Sequence, residues 1–197
     1  MKRPALAIVV FASACATSSS PKRSCRDVTQ WTSNTVSIDV DAPIDEVYKF
    51  VVAEDAPGKL LRRYGPVPSV KESKVIDGPW GRVGARRVVV LDNGGTLEEE
   101  ITAYDLPVLY TYRISDFHFF LRDFSSRGTG VWQFFRVGDK TRVVWTYSFE
   151  PKSRGVRPLL DLGISWFYRP FMSRGLQETK LQIEAQRRGH ATILVSP

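Results

Sequence analysis

The sequence predicts an α+β domain: a curved antiparallel sheet of about seven strands wrapped around a long C-terminal helix, with two short helices after the first strand. Three observations carry this. Six successive segments between Val70 and Glu150 are strand-like, most of them alternating apolar and polar residues at the two-residue period of a half-buried strand. Asn93-Gly94 and Gly138-Asp139 are tight-turn signals between neighbouring segments, which makes those neighbours antiparallel. Residues 156–188 then keep their apolar side chains on one helical face.

Each element follows from its residues. Val36, Ile38 and Val40 alternate with Ser37 and Asp39 in a first strand that opens the domain near Thr35. A helix starts at Asp41 or Ala42, with Pro43 in its first turn and Asp45 and Glu46 complementing the positive end of the helix dipole. Val47, Phe50 and Val51 form its apolar face, and a second short helix covers residues 55–63 before Tyr64-Gly65-Pro66. The strands are Val70–Ile76, Ala85–Leu91, Thr96–Asp105, Val108–Ser115, Gly130–Val137 and Thr141–Glu150. In the final helix Ile164, Tyr168, Phe171, Met172, Gly175, Leu176, Thr179 and Ile183 share a face, and the segment Leu159–Met172 is apolar on more than one side. Pro170 predicts a kink or break near Arg169, and Arg187-Arg188-Gly189 reads as the stop.

The 197-residue chain is long enough to bury a core, and at 43% hydrophobic and 25% charged residues it is globular. Residues 1–16 have the layout of a bacterial signal peptide: Lys2 and Arg3, an apolar run from Ala5 to Ala12, then small residues. Ala12-Ser13-Ala14-Cys15 approximates a lipobox, which marks Cys15 as the lipidated residue, and cleavage at an A-x-A site after Ala14 or Ala16 is the competing outcome. Residues 17–33 are polar and aperiodic and read as a tether, residues 34–190 as the domain, and 191–197 as a tail. The expected location is the cell envelope, as a membrane-anchored lipoprotein or a periplasmic protein. Losing Lys2 and Arg3 lowers the formal charge from +7 to +5, and the remaining basic residues are scattered without a nucleic-acid-binding signature. Cys15 and Cys25 are the only cysteines, too few for a disulfide framework or a cysteine metal site.

Pairing the last two strands around Gly138-Asp139 sets Phe134 opposite Val143, Trp132 opposite Trp145, and Gly130 opposite Tyr147. Trp132, Phe134, Trp145 and Tyr147 then share the sheet face that meets Tyr168, Met172 and Leu176 of the helix, with Tyr110 and Tyr112 close by. Gly163 and Gly175 leave notches in that helix. These residues line either a packed core or an apolar pocket. A two-residue turn at Asn93-Gly94 pairs Val88 with Glu99 and Arg86 with Ile101; Glu99 and Arg86 then point inward while Arg87 and Glu100 meet outside. A buried Glu99 needs a cation, and Arg86 is diagonal to it, as a structural ion pair or as a polar handle for a ligand head group.

The order of elements resembles the helix-grip, START-like superfamily, in particular the polyketide cyclase/dehydrase-type members often labelled SRPBCC. The resemblance is carried by VSIDVDAPIDEVYKFV at 36–51, LEEEITAYD at 97–105, TRVVWTYSFEP at 141–151 and the long helix, and spans roughly residues 35–188. It implies a cavity between sheet and helix for a small hydrophobic ligand, lipid-like or aromatic, and Glu99 resembles the acidic residue that many relatives carry at this point of the strand. The alternatives are a cyclase-like enzyme using a single acid, Glu99 or Asp116, and an envelope interaction protein whose interior is filled. No cofactor, no metal and no nucleic-acid partner is expected: His118 and His190 make neither a triad nor a metal cluster, and no phosphate-binding glycine loop is present.

Overall fold

The computed structural model describes residues 31–195, with side chains to Gly189; the segment expected to be a signal peptide, the expected lipidation site Cys15 and most of the expected tether lie outside the described residues. Seven strands form one antiparallel sheet: β1 (Thr32–Val40), β2 (Val70–Asp77), β3 (Arg86–Leu91), β4 (Thr96–Asp105), β5 (Leu109–Ser115), β6 (Ser125–Val137) and β7 (Lys140–Pro151), in spatial order β1-β7-β6-β5-β4-β3-β2. Two short helices, α1 (Ile44–Val52) and α2 (Ala56–Leu60), follow β1. The chain ends in α3 (Arg157–Gly163), a π-helical turn over Ile164–Tyr168, and α4 (Arg169–Val195). This is the helix-grip arrangement that the element order implies.

The meander from β2 to β7 uses every predicted strand, and β6 starts five residues earlier than its alternation indicates. Gly128 and Gly130 stand at inward positions of β6 and supply no apolar side chain that a pattern could register. β1 likewise begins at Thr32, within the stretch read as tether. Its first residues are polar because they bond sideways: the Thr32 hydroxyl donates to Asp161, and the Ser33 and Ser148 hydroxyls pair at 2.8 Å across to β7.

Two helix expectations are corrected. Pro43, not Asp41 or Ala42, caps α1, with extended backbone at φ −59°, ψ 148°. At the other end, α4 passes through Gly189 to Val195. Gly189 is not among the glycines with positive φ, so it keeps the helical conformation; glycine permits a left-handed stop without imposing one. Pro170 does mark a discontinuity, taken up one turn upstream, where Arg169 N–H bonds to the Ile164 carbonyl five residues back. The wider turn relieves the clash between the proline ring and the carbonyl four residues earlier.

The core lies between the concave sheet face and α4. Met172, Leu176 and Thr179 are fully buried against Phe134, Val143 and Trp145, and Ile164, Tyr168, Phe171 and Ile183 continue the stripe. Gly130 shows how tightly the sheet surface is filled. It sits in register between Tyr112 and Tyr147, and a Cβ there would lie 2.2 Å from the Tyr112 ring. Tyr112 is itself buried and cannot swing away, so Gly130→Ala is expected to cost about 2 kcal/mol or more by overpacking, read as a lowered urea midpoint. A midpoint unchanged from wild type would show that the Tyr112 ring does not lie over this strand.

Candidate functional site

The sheet face predicted from Gly138-Asp139 forms as expected. Trp132 pairs with Trp145, Phe134 with Val143 and Gly130 with Tyr147. The two indoles stack at 4.3 Å with 15° between their planes, and the Trp132 Nε1–H donates to the Tyr112 hydroxyl at 3.4 Å. Tyr147 packs on Trp145 and on Tyr168 from the helix side, so rings from β5, β6, β7 and the π turn meet in one continuous cluster. Phe134 belongs to a different part of the core and contacts the Tyr48 ring of α1.

The β3–β4 hairpin differs from its reading by one residue. Leu91 N–H bonds to the Gly95 carbonyl and Gly94 N–H to the Leu91 carbonyl, which leaves a three-residue loop, Asp92-Asn93-Gly94, with Gly94 at φ +83°. The Asn93 side-chain oxygen accepts from Gly95 N–H and holds this loop. Arg87 therefore pairs with Glu99, and Arg86 with Glu100. Glu99 does point inward, 6% exposed, but its partner is Arg87, at 3%. Arg86 is on the outer face near Asp77 and Glu98 and takes no part in the interior; Glu100 bonds to Arg113 instead of Arg87.

Arg87 is held on every side. Its Nε and Nη2 donate to Glu99 Oε2 at 2.8 and 2.6 Å, its Nη1 donates to the Glu54 carbonyl at 2.9 Å, and its guanidinium lies 4.1 Å from the Trp80 ring centroid. Trp80 Nε1–H donates to the Val52 carbonyl, so both residues satisfy carbonyls at the negative end of α1. Burial alone would push the Arg87 pKa down; Glu99 beside it more than offsets this and leaves it above the ordinary arginine value. Burial pushes the hydroxyls of Tyr48, Tyr110, Tyr112, Tyr147 and Tyr168 well up from the usual 10.0, and in the last four Glu99 adds to the effect.

Among the described residues, two of the spaces between sheet and helix are small voids. One, of about 40 Å³, is walled by Arg87, Glu99, Tyr110, Tyr112, Trp132, Trp145, Tyr147 and Gly175 together with α2. The other, of about 30 Å³, lies toward Val67, Leu97, Phe119, Tyr168 and Phe171 and shares Pro57, Leu61, Glu99, Trp145 and Tyr147 with the first. Of the predicted residues, Glu99, Tyr112, Trp132, Trp145, Tyr147 and Tyr168 reach these voids, whereas Phe134, Met172 and Leu176 are packed core. The Gly175 notch is real: a Cβ there would meet Leu61 at 2.9 Å, with Trp145 at 3.6 Å, whereas Gly163 faces open space. Sequence reasoning misses Arg87 and Tyr110 as wall residues. The turn length hides Arg87, and Tyr110 reads only as a nearby ring. Two buried polar atoms of residues that line the larger void, the Tyr110 hydroxyl and Trp145 Nε1, have no hydrogen-bond partner in the protein. Native interiors satisfy nearly all such groups through protein, water or ligand, so these two mark the wall as polar as well as aromatic.

Other features are less site-like. A solvent-open groove of about 350 Å³ between α1 and α4 is lined by Glu46, Lys49, Phe50, Ile183, Gln186 and Arg187 and contains none of the predicted residues. His118 is exposed, its Nε2 3.0 Å from Asp116. Among the described residues no three His, Cys, Asp or Glu side chains are grouped as a metal site.

Residues 32–184 match the family model described as polyketide cyclase/dehydrase and lipid transport. No curated protein matches the chain in sequence. Solved structures share the fold at low identity. A major latex-like protein 151 from Panax ginseng is 14% identical over 78% of this chain and 97% of its own, with a TM-score of 0.61. An aromatase/cyclase from Streptomyces sp. R1128 is 13% identical over 78% and 94%, with a TM-score of 0.60. A protein from Nitrosospira multiformis is 21% identical over 79% and 99%, with a TM-score of 0.56.

Two predictions come from the buried charges and phenols. Glu99→Ala strands the Arg87 guanidinium and is expected to cost about 3–5 kcal/mol in urea unfolding, with Glu99→Gln costing less and Arg87→Met/Glu99→Leu recovering part of the loss. A cost under about 0.5 kcal/mol for Glu99→Ala would show the pair to be solvated. For the tyrosines the folded pKa values lie above the unfolded 10.0, so their contribution to stability is fully present below pH 10 and lost as the pH rises toward the folded values. At pH 11 the folded protein should therefore absorb less at 295 nm than the urea-unfolded chain. Equal absorbance would mean the phenols are open to water.

Proposed function

This chain belongs to the polyketide cyclase/dehydrase and lipid transport family, and from that membership we propose that it holds a small hydrophobic ligand bearing one polar group, between sheet and α4, at the bacterial envelope. The family's fold is a hydrophobic-ligand-binding one. What supports the finer reading is the wall of the larger void: an apolar aromatic surface in which Trp145 Nε1–H and the Tyr110 hydroxyl stand unpartnered beside the Arg87–Glu99 pair. A carbonyl or hydroxyl on an otherwise apolar ligand offers the kind of partner that such a group lacks. A pure hydrocarbon would leave them as they are.

Voids of about 30 and 40 Å³ are each large enough for a water molecule, yet far below the roughly 300 Å³ of an ordinary ligand pocket. Ligand uptake therefore joins the two voids by an outward shift of α2 and the segment 61–68, which contribute lining residues to both. The same small volumes favour a second reading, an envelope interaction protein with a filled interior. Single-acid cyclase chemistry at Glu99 would fall to its Oε1, because Oε2 already accepts two N–H donors from Arg87. The envelope location rests on the signal-like segment and on Cys15 as the acylated residue.

Native mass spectrometry of the protein extracted from cell membranes reads both parts of the proposal. The expected chain begins at Cys15, carries covalent acyl mass, and holds a noncovalent small molecule that heating releases. Added planar aromatics with a carbonyl or hydroxyl should then raise the melting temperature with concentration and quench the Trp132–Trp145 stack. Bare protein whose melting ignores aromatics, sterols and fatty acids alike would overturn ligand binding in favour of the filled interior. A terminus at Met1 in the cytosol would overturn export.

A further inference from the structure

The elements that wall the smaller void also carry large exposed apolar side chains. Tyr168 points inward, and the preceding Trp166 and Phe167 point out; Phe119 points inward, and Phe120 points out. On α3 and the π turn, Leu159 is 60% exposed, Leu162 48%, Trp166 66% and Phe167 37%, at spacings that place them along one side of the helix. Large exposed apolar side chains usually occur singly, and a contiguous row marks a surface that meets something.

The charges around this row are mainly positive. Lys152, Arg154, Arg157 and Arg169 flank it, and the one acid between residues 151 and 170 is Asp161. That carboxylate is already engaged, accepting from the Thr32 hydroxyl at 2.5 Å and lying 3.7 Å from Arg157. The chain also enters the fold beside this face: Thr32 bonds to α3 through Asp161, and the Asn34 side chain donates to the Ile164 carbonyl. A Trp and leucines within a basic rim, on a helical run with no stretch long and apolar enough to cross a bilayer among the described residues, match the chemistry of an interfacial helix rather than of a protein contact, whose centre is usually poor in like charge. We propose that the face formed by Leu159, Leu162, Trp166 and Phe167 docks on an anionic bilayer surface, with the Trp166 indole at headgroup depth and the surrounding lysine and arginines over lipid phosphates. The inference stands on this surface and does not depend on what the interior holds or on acylation at Cys15.

The test uses the full chain and vesicles of phosphatidylcholine with phosphatidylglycerol whose acyl chains carry bromine, a contact quencher of indole. Subtracting the spectrum of Trp166→Phe from that of the wild type isolates Trp166 among the five tryptophans. The expected result is that brominated anionic vesicles at least halve this difference emission and shift it to the blue, while neutral vesicles and high salt do not. Lys152→Glu with Arg154→Glu should weaken the effect roughly tenfold, with melting temperature unchanged because both side chains are exposed. Difference emission that stays unquenched on anionic vesicles would overturn the proposal even if the protein sediments with them through its N-terminus. So would a blue shift that grows with protein concentration in the absence of vesicles, which would assign the face to a second copy of the chain. Ligand release and melting shifts report on the interior separately, so either proposal can fail without the other.

Discussion

The Arg87–Glu99 pair constrains how everything around it can be arranged. Two charges taken out of water are tolerable only if their remaining donors and acceptors are met, and here the partners come from separate parts of the chain. Glu99 supplies the counter-charge from β4, the Glu54 carbonyl takes a third N–H from just beyond α1, and Trp80 covers the flat face of the guanidinium. The hairpin register, the docking of α1 and the position of the β2–β3 connection are thereby tied to one point. A one-residue slip of β3 in one direction would set Val88 opposite Glu99 and leave the carboxylate facing a ring of tyrosines with no cation; a slip in the other would set Arg86 there, without the Glu54 and Trp80 contacts that hold Arg87.

That slip is the error the sequence invites. Asn93-Gly94-Gly95 serves a two-residue or a three-residue loop equally well, Arg86 and Arg87 are chemically the same, and Val88, Val89 and Val90 remove any alternation that would show which of them faces in. By contrast, Gly138-Asp139 is followed by Lys140-Thr141, and both flanking strands alternate clearly with Trp132, Phe134, Val143 and Trp145. There the register could be read, and with it most of the aromatic wall. The helix stripe from Ile164 to Ile183 was legible for the same reason of strict periodicity. The end of α4 was not, because glycine's own chemistry allows both a helical and a left-handed backbone, and the neighbouring residues decide between them.

Aromatic bulk was the basis for expecting a cavity, and the same rings also take up much of the space between sheet and helix. Glycines at 128, 130 and 175 do not open space; each is occupied by a neighbouring ring or by Leu61. Void volume in such an interior is a difference between large numbers, the span between sheet and helix less the rings that occupy it, and residue counts do not determine that difference. What the residues do determine is the chemistry of the wall: stacked indoles, phenols and one ion pair, which is unusually polar for a surface this deeply buried.

The π turn at residues 164–168 has a consequence for the helix as a whole. An α-helix advances 100° per residue, so a single extra residue accommodated within one turn rotates everything before it relative to everything after. Leu160 is buried ahead of the turn, Ile164 and Tyr168 at its two ends, and Met172 and Leu176 beyond it, while Trp166 and Phe167 stay outside. The widened turn thus works as a phase adjuster between two amphipathic segments, each with its own apolar register. Losing one residue there would leave both segments helical and both sequences amphipathic. It would also swing one apolar stripe about a quarter turn out of line with the other, so that only one of them could meet the sheet.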